Sequence, residues 1–191
     1  MILADDKPTL RSAMLAWRAT LSEGERRAAA DGLLATLRRE KPFEDRTVVS
    51  GFWPIKDEID IRPSMIELFN RGCQLALPVV QGRGMPLLFR AWRPGDPLEA
   101  GVFGTLQPSP RREALEPDGL IVPLLACDEH GWRLGYGGGF YDRTLAGLRA
   151  RRAVKAVGVG FDAQYVADVP HGADDQRLDW LLTDKRACAF V

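Results

Sequence analysis

The segment Arg133-Leu-Gly-Tyr-Gly-Gly-Gly-Phe-Tyr-Asp142 places four glycines in ten residues and brackets them with a cation and a carboxylate. Without Cβ atoms, successive backbone N–H groups can turn inward as a nest for an anion, and a helix starting beyond them adds the positive end of its dipole. A phosphate fits such a cradle. Arg133 offers it a bidentate guanidinium, and Asp142 offers a hard oxygen to a Mg2+ ion beside it. The same glycines also suit a plain hairpin or flexible loop.

Three further groups carry chemistry. Lys7 and Arg11 are four apart, so on a helix they share a face where two cations clamp a polyphosphate, although exposed helix cations are often merely solvated. Behind Phe52 and Trp53 stand Asp57, Glu58 and Asp60. An aromatic wall edged by a carboxylate suits a flat heterocycle with N–H donors such as a pterin, and equally an acidic surface loop beside a core tryptophan. In P-H-G-A-D-D-Q-R-L-D (170–179), Asp175 can share a metal with Asp142, since Mg2+ takes one or two carboxylates and completes its shell with phosphate and water.

Other chemistries are set aside. There is no G-x-x-x-x-G-K-[ST] loop, and G-Y-G-G-G-F lacks the last glycine of the dinucleotide fingerprint. His130 and His171 lack metal-ligand spacing and no serine sits in a nucleophile elbow, so neither histidine is given a role.

These residues need elements to hold them. Asp5 and Asp6 precede Pro8, and Leu10, Met14, Trp17 and Leu21 recur at helical spacing, so a first helix is expected over 7–20. Ser22 and Glu25 form a capping box that opens a second helix ending before Pro42. T-V-V-S-G-F-W (47–53) reads as a strand, then a polar loop. A helix over 63–71 stops at Gly72, a left-handed cap, before a strand over 73–80. Gln81-Gly-Arg-Gly84 is a turn before another strand, and 94–118 is irregular with one extended piece near Val102. Residues 120–126 are apolar on both faces, as in a central strand. A helix over 140–151, a strand over 154–161 and a short helix over 163–169 follow. Strand and helix alternate, which predicts an α/β three-layer sandwich with a mixed, mostly parallel sheet.

Composition supports one domain spanning 1–191. A chain of 191 residues with 46% apolar content buries roughly 70% of its unfolded surface. With 26 basic against 26 acidic residues there is no global field for nucleic acid or an anionic membrane. A basic site at Arg149, Arg151, Arg152 and Lys155 is therefore the weakest alternative. The N-terminal M-I-L-A-D-D-K-P does not read as a signal peptide, and residues 120–127 are too few to span a bilayer. Cys73, Cys127 and Cys188 are odd in number and set among apolar residues. Reduced thiols and a cytoplasmic location are expected, with small-molecule partners and a monomer, a dimer being the alternative.

At L-I-V-P-L-L-A-C-D-E-H-G-W-R-L-G-Y-G-G-G-F-Y-D-R-T-L (120–145) the chain resembles the 5-formyltetrahydrofolate cyclo-ligase, or methenyltetrahydrofolate synthetase, family. K-P-T-L-R (7–11), F-W-P-I-K-D-E-I-D (52–60), F-G-T-L-Q-P (103–108) and 170–179 follow the family's order, so the likeness covers nearly the whole chain. It implies an enzyme that turns 5-formyltetrahydrofolate and MgATP into 5,10-methenyltetrahydrofolate, ADP and phosphate, by phosphorylating the formyl oxygen. By resemblance Lys7 and Arg133 serve the chemistry. Lys7 and Arg11 hold ATP with Arg133, Leu134, Gly135, Tyr136, Gly137, Gly138, Gly139, Phe140 and Tyr141. Residues 136–140 also face the folate, as do Trp53 and Glu58, while Asp142 and Asp175 bind Mg2+. The implied fold is a mixed-sheet α/β sandwich.

Three positions depart from the family pattern: Cys127 where an aromatic is common, Phe140 where tyrosine is common, and Ala173 where glutamate is usual. The last removes a carboxylate near the implied metal. A non-catalytic folate- or nucleotide-binding relative is the second reading.

Overall fold

The computed structural model describes residues 6–190; Asp5, expected near the first helix start, lies outside them. Helix α1 (Lys7–Ala19) begins where the Asp6 carboxylate accepts the Thr9 amide at 2.7 Å, with Pro8 in its first turn. Helix α2 (Glu23–Glu40) carries the expected capping box: Glu25 accepts the Ser22 amide at 2.8 Å and returns its own amide to the Ser22 hydroxyl. It ends at Lys41, in the left-handed region, just before Pro42. Strand β1 (Val48–Ser50), helix α3 (Arg62–Asn70) and strand β2 (Gln74–Val80) follow, with Gly72 at φ 94° after α3.

Strand β3 (Leu87–Ala91) turns back along β2, and the short strands β4 (Glu99–Ala100), β5 (Leu106–Gln107) and β6 (Ala114–Leu115) come next. Strand β7 (Gly119–Pro123) is followed by β8 (Ala126–Cys127), β9 (Arg133–Leu134), α4 (Phe140–Arg149), β10 (Lys155–Val159), β11 (Trp180–Leu182) and β12 (Ala187–Ala189). The main sheet runs β12-β11-β10-β7-β1-β2-β3-β6. Its five inner strands, from β11 to β2, are parallel, while β12, β3 and β6 pair antiparallel at the edges.

Period-two alternation decides the layers. Val49, Leu75, Leu77, Ile121, Val157 and Leu182 share one buried cluster with Leu33 and Leu37 of α2 and Met65 and Leu68 of α3. Their chain neighbours Ala76, Leu120, Val122, Ala156 and Leu181 meet Leu145 and Leu148 of α4 on the other face. Full burial of each such large aliphatic side chain contributes about 1.5–3 kcal/mol. The expected three-layer α/β fold with a mixed sheet is the one observed. Among the described residues no helix is long and apolar enough to cross a membrane.

Three local expectations are corrected. The helix expected over 163–169 is only a 3-10 turn at Asp162–Gln164. The Val166 amide donates instead to Cys127 O at 2.9 Å, and Asp162 is held by Thr183 and Arg186, so the chain docks on β8 rather than coiling. The run over 120–126 is not one strand: β7 stops at Pro123, and Ala126 and Cys127 pair with β9 in a separate ribbon. Near Val102 the extended piece is an antiparallel hairpin of β4 and β5, tipped by Val102–Gly104 with Phe103 at φ 58°.

Candidate active site

Helix α1 crosses the carboxyl ends of the parallel strands, the edge where open α/β sheets bind ligands. Its Leu10 and Met14 pack on Leu125, Ala126 and Leu134, which lie beyond β7. Trp17 meets Phe161, just past β10, edge to face with ring centroids 5.9 Å apart. This anchoring carries three α1 cations to one place. Lys7 Nζ lies 2.5 Å from Asp175 Oδ2, Arg11 Nε donates to Gly135 O at 3.0 Å, and the Arg18 guanidinium donates to the Tyr136 hydroxyl.

The glycine segment leaves β9 and enters α4 through backbone that other residues resist. Gly137 has φ 93° and Gly139 φ 64°. A Cβ on Gly137 would sit 3.3 Å from the Arg11 guanidinium, and one on Gly138 would fall 2.7 Å from the Phe140 ring. Gly139 caps α4 with no side chain to occupy the first-turn amides. Those amides and the helix dipole therefore favour an anion, with Arg11, Lys7 and Arg133 beside it.

Arg133 lies on β9, not in the loop, and its side chain is 5% exposed. Its Nη1 donates to Asp142 Oδ1 at 2.8 Å, and the same oxygen accepts the Gln176 amide at 3.0 Å. Asp175, the residue before, accepts the Gly172 amide at 2.6 Å through Oδ2. Burial pushes the Asp175 carboxyl up, but the Lys7 ammonium, the Gly172 amide and the Arg133 charge together outweigh it and hold it below the usual carboxylate range. The two aspartates thus meet at one corner, each with one oxygen engaged by protein.

The third wall is the loop after Trp53. Trp53 stands edge to face on Trp92, centroids 5.9 Å apart, under the Arg62 guanidinium. The loop's three carboxylates diverge. Asp57 pairs with Arg26 at 3.2 Å and Asp60 with Arg62 at 2.7 Å, leaving Glu58 alone to face the glycine segment. Glu58 is buried and accepts the Ile55 amide at 2.9 Å. Burial raises its carboxyl above the ordinary value, against the opposing pull of that amide, Arg18, the Tyr136 hydroxyl and Lys56. Across the opening, Phe103 is 60% exposed with its centroid 6.2 Å from Phe140, and Val102 and Leu106 are exposed beside it.

The structure therefore brings Lys7, Arg11, Arg133, the segment 134–141, Asp142, Asp175 and Glu58 to one side of the molecule, with Trp53 on the loop beside Glu58. The sequence reading passes over Arg18, which stands seven residues after Arg11 on the same helix face. It also passes over Gln176, whose contribution is a backbone amide, and Phe103 receives no role. His171 stacks on Trp132 with centroids 4.0 Å apart and planes 9° from parallel, a packing arrangement on the side of the Arg133 hairpin.

The model of the 5-formyltetrahydrofolate cyclo-ligase family matches residues 4–184. A 5-formyltetrahydrofolate cyclo-ligase of Mycolicibacterium smegmatis is 34% identical over 188 residues, 94% of each chain, and that of Escherichia coli K12 is 35% identical over 143 residues, 72% of this chain and 78% of its own. The solved 5,10-methenyltetrahydrofolate synthetase of Aquifex aeolicus superposes with a TM-score of 0.80 at 32% identity, covering 96% of this chain and 92% of that one. A Mycoplasma pneumoniae structure at 22% identity shares the fold with a TM-score of 0.75.

Proposed function

Because the chain belongs to the 5-formyltetrahydrofolate cyclo-ligase family, we propose that its two substrates react in the cleft between α1, the glycine segment and the Glu58 loop. The activity is that of the family, closure of 5-formyltetrahydrofolate to 5,10-methenyltetrahydrofolate with ATP as co-substrate. The γ-phosphoryl group passes to the formyl oxygen, giving an imidoyl phosphate and ADP. N10 attacks the activated carbon and loses its proton, and phosphate leaves with the C–O bonding pair. The protein's part is to position two ligands and neutralise the charge in transfer.

The observation that carries this reading is the convergence of Lys7, Arg11 and buried Arg133 on a glycine-built helix start. Lys7, Arg11, Arg133 and the amides of 134–141 hold the polyphosphate, and Lys7 and Arg133 meet the charge of the transferred group. Trp53, Glu58 and residues 136–140 take the folate, with Glu58 accepting from the N–H groups of its heterocycle. The donor set at Asp142 and Asp175 suits Mg2+: Asp142 Oδ2 and Asp175 Oδ1 accept no hydrogen bond among the described residues, and two carboxylates with phosphate oxygens fill such a shell. Bound there, the ion would neutralise phosphate charge. Free thiols at Cys73, Cys127 and Cys188 accord with a reducing cytoplasm.

The test mixes the protein with 5-formyltetrahydrofolate and MgATP and follows the near-ultraviolet absorbance of the conjugated N5=C–N10 bridge, with controls lacking ATP or metal. Product only in the complete mixture supports the assignment. Silence with both ligands bound by calorimetry would leave a non-catalytic relative.

A further inference from the structure

Arg18 is 2% exposed, among the most deeply buried large side chains of the molecule. A buried guanidinium is costly unless its charge and donors are matched. Among the described residues Arg18 forms no ion pair within 4.0 Å, and its Nε has no hydrogen-bond partner. Its matched contacts are few and point one way. It donates to the Tyr136 hydroxyl, its Cζ lies 5.6 Å from the centre of the Tyr136 ring, and its charge acts on the Glu58 carboxylate. A core position with no other use for a cation would hold leucine at less cost, so the arginine answers to those two neighbours.

Tyr136 needs such a hold. It sits between Gly135 and Gly137, where the backbone restrains its ring least, and the loop has two positive-φ glycines after it. Helix α1 restrains this loop twice. Arg11 fixes the backbone at Gly135 O on the side of Lys7, and Arg18 fixes the side chain of the next residue on the side of Glu58. Lys56, 6.0 Å from the same ring, covers it from the Glu58 loop.

We propose that Arg18 is a positioning residue for the folate half of the site, holding the Tyr136 ring and hydroxyl against the Glu58 carboxylate so that both meet the heterocycle in one geometry. The inference rests on the cyclo-ligase reading and divides the work of α1. Lys7 and Arg11 serve the nucleotide, whereas Arg18 touches neither substrate and acts through Tyr136 and Glu58. Lysine would keep the charge but lack the planar fork that both donates to the hydroxyl and lies over the ring.

The experiment measures steady-state kinetics of the wild type, Arg18→Lys, Arg18→Leu and Tyr136→Phe, varying each substrate in turn. Wild-type turnover tests the cyclo-ligase reading by itself, and its absence would sink that reading before Arg18 is judged. With turnover present, Arg18→Lys is expected to raise the KM for 5-formyltetrahydrofolate about tenfold or more while leaving that for ATP within about twofold. Tyr136→Phe, which keeps the ring and removes the hydroxyl, should move the same constant in the same direction. Glu58 is faced by Arg18 from α1, Tyr136 from the glycine loop, Tyr141 from α4 and Lys56 from its own loop. Arg18→Leu removes one of the cations that favour its ionised form, so the acid limb of kcat/KM should move to higher pH, while Arg18→Lys leaves it in place. An Arg18→Lys enzyme with an unchanged folate KM, or with folate and ATP constants rising together, would overturn the proposal. Should Arg18→Leu fail to fold, the Arg18→Lys and Tyr136→Phe constants decide.

Discussion

Arg133 Nη1 meets Asp142 Oδ1 at 2.8 Å, a bond from the second strand of a hairpin to the first turn of the helix that the glycine segment begins. The two ends of that segment are thereby tied together, nine residues apart, and the glycine turn between them has fixed walls. The pair joins the loop's shape to its charge. Arg133 is nearly enclosed, while Asp142 keeps 19% of its side chain in reach of solvent.

Replacing Arg133 by Ala should lower kcat by about 10²–10³, the usual effect of deleting one preorganised donor to a charge in transfer. It should also destabilise the fold by a few kcal/mol, because Asp142 loses its buried partner. Kinetics and a denaturant melt on the same variant separate the two effects. Near-normal turnover would remove Arg133 from the chemistry and leave it a structural tie.

Asp175 carries a pH dependence with a definite sign. Its folded carboxyl lies below the ordinary 3.8 because Lys7, the Gly172 amide and Arg133 outweigh the effect of burial. A depressed acid stabilises the fold above its unfolded pKa and loses that contribution as pH falls through the folded value. The melting temperature of the wild type should therefore exceed that of Asp175→Asn at neutral pH, by a small amount since the Lys7 ammonium is partly solvated, and the gap should close below about pH 4. A gap that persists unchanged into acid would mean that the pair contributes nothing through charge. If Asp175 also holds Mg2+, the same variant needs several-fold more Mg2+ for half-maximal rate.

Two glycines of the same segment, two residues apart, give a steric test. Gly137 lies at φ 93° with the Arg11 guanidinium 3.3 Å from any added Cβ, whereas Gly135 has open space there and no positive φ. Gly137→Ala should cost about 1–2 kcal/mol and raise the KM for ATP, while Gly135→Ala should change stability by less than about 1 kcal/mol. Equal effects from the two variants would show that loop conformation is not what the glycines supply.

Much of this was legible in the residues. Capping chemistry at Asp6 and Ser22, the stop at Gly72 and the apolar run of β10 are local signals, and each produced its element where expected, whereas the run over 120–126 divides at Pro123 between β7 and the ribbon of β8 and β9. Lys7 and Arg11 share a face by helical spacing alone. What escaped depends on distant partners. The chain over 163–169 stays uncoiled because Cys127 O takes the Val166 amide, 39 residues away in sequence, and no local propensity records that bond. Asp57 and Asp60 look equivalent to Glu58 in composition, yet Arg26 and Arg62 draw them aside. Arg18 had a visible phase, but a lone cation on an apolar helix face is not distinguished from a solvated one until its burial is known.

Ala173 tests the proposed Mg2+ site. Among the described residues no three carboxylate, histidine or cysteine side chains gather around a common point, so that proposal rests on Asp142 and Asp175 alone. Ala173 is exposed two residues before Asp175, at the position where the family resemblance implies a glutamate. Ala173→Glu adds a carboxylate there and should lower the Mg2+ needed for half-maximal rate several-fold, because a hard cation gains affinity with each anionic oxygen that reaches it directly or through water. The same change sets a third negative charge beside Asp174 and Asp175, but at an exposed site that repulsion should alter stability by no more than about 0.5 kcal/mol. Mg2+ activation curves for the two proteins, measured at saturating ATP, decide the matter. Superimposable curves would mean that the two aspartates and the nucleotide phosphates already complete the shell, and that the alanine costs the enzyme nothing.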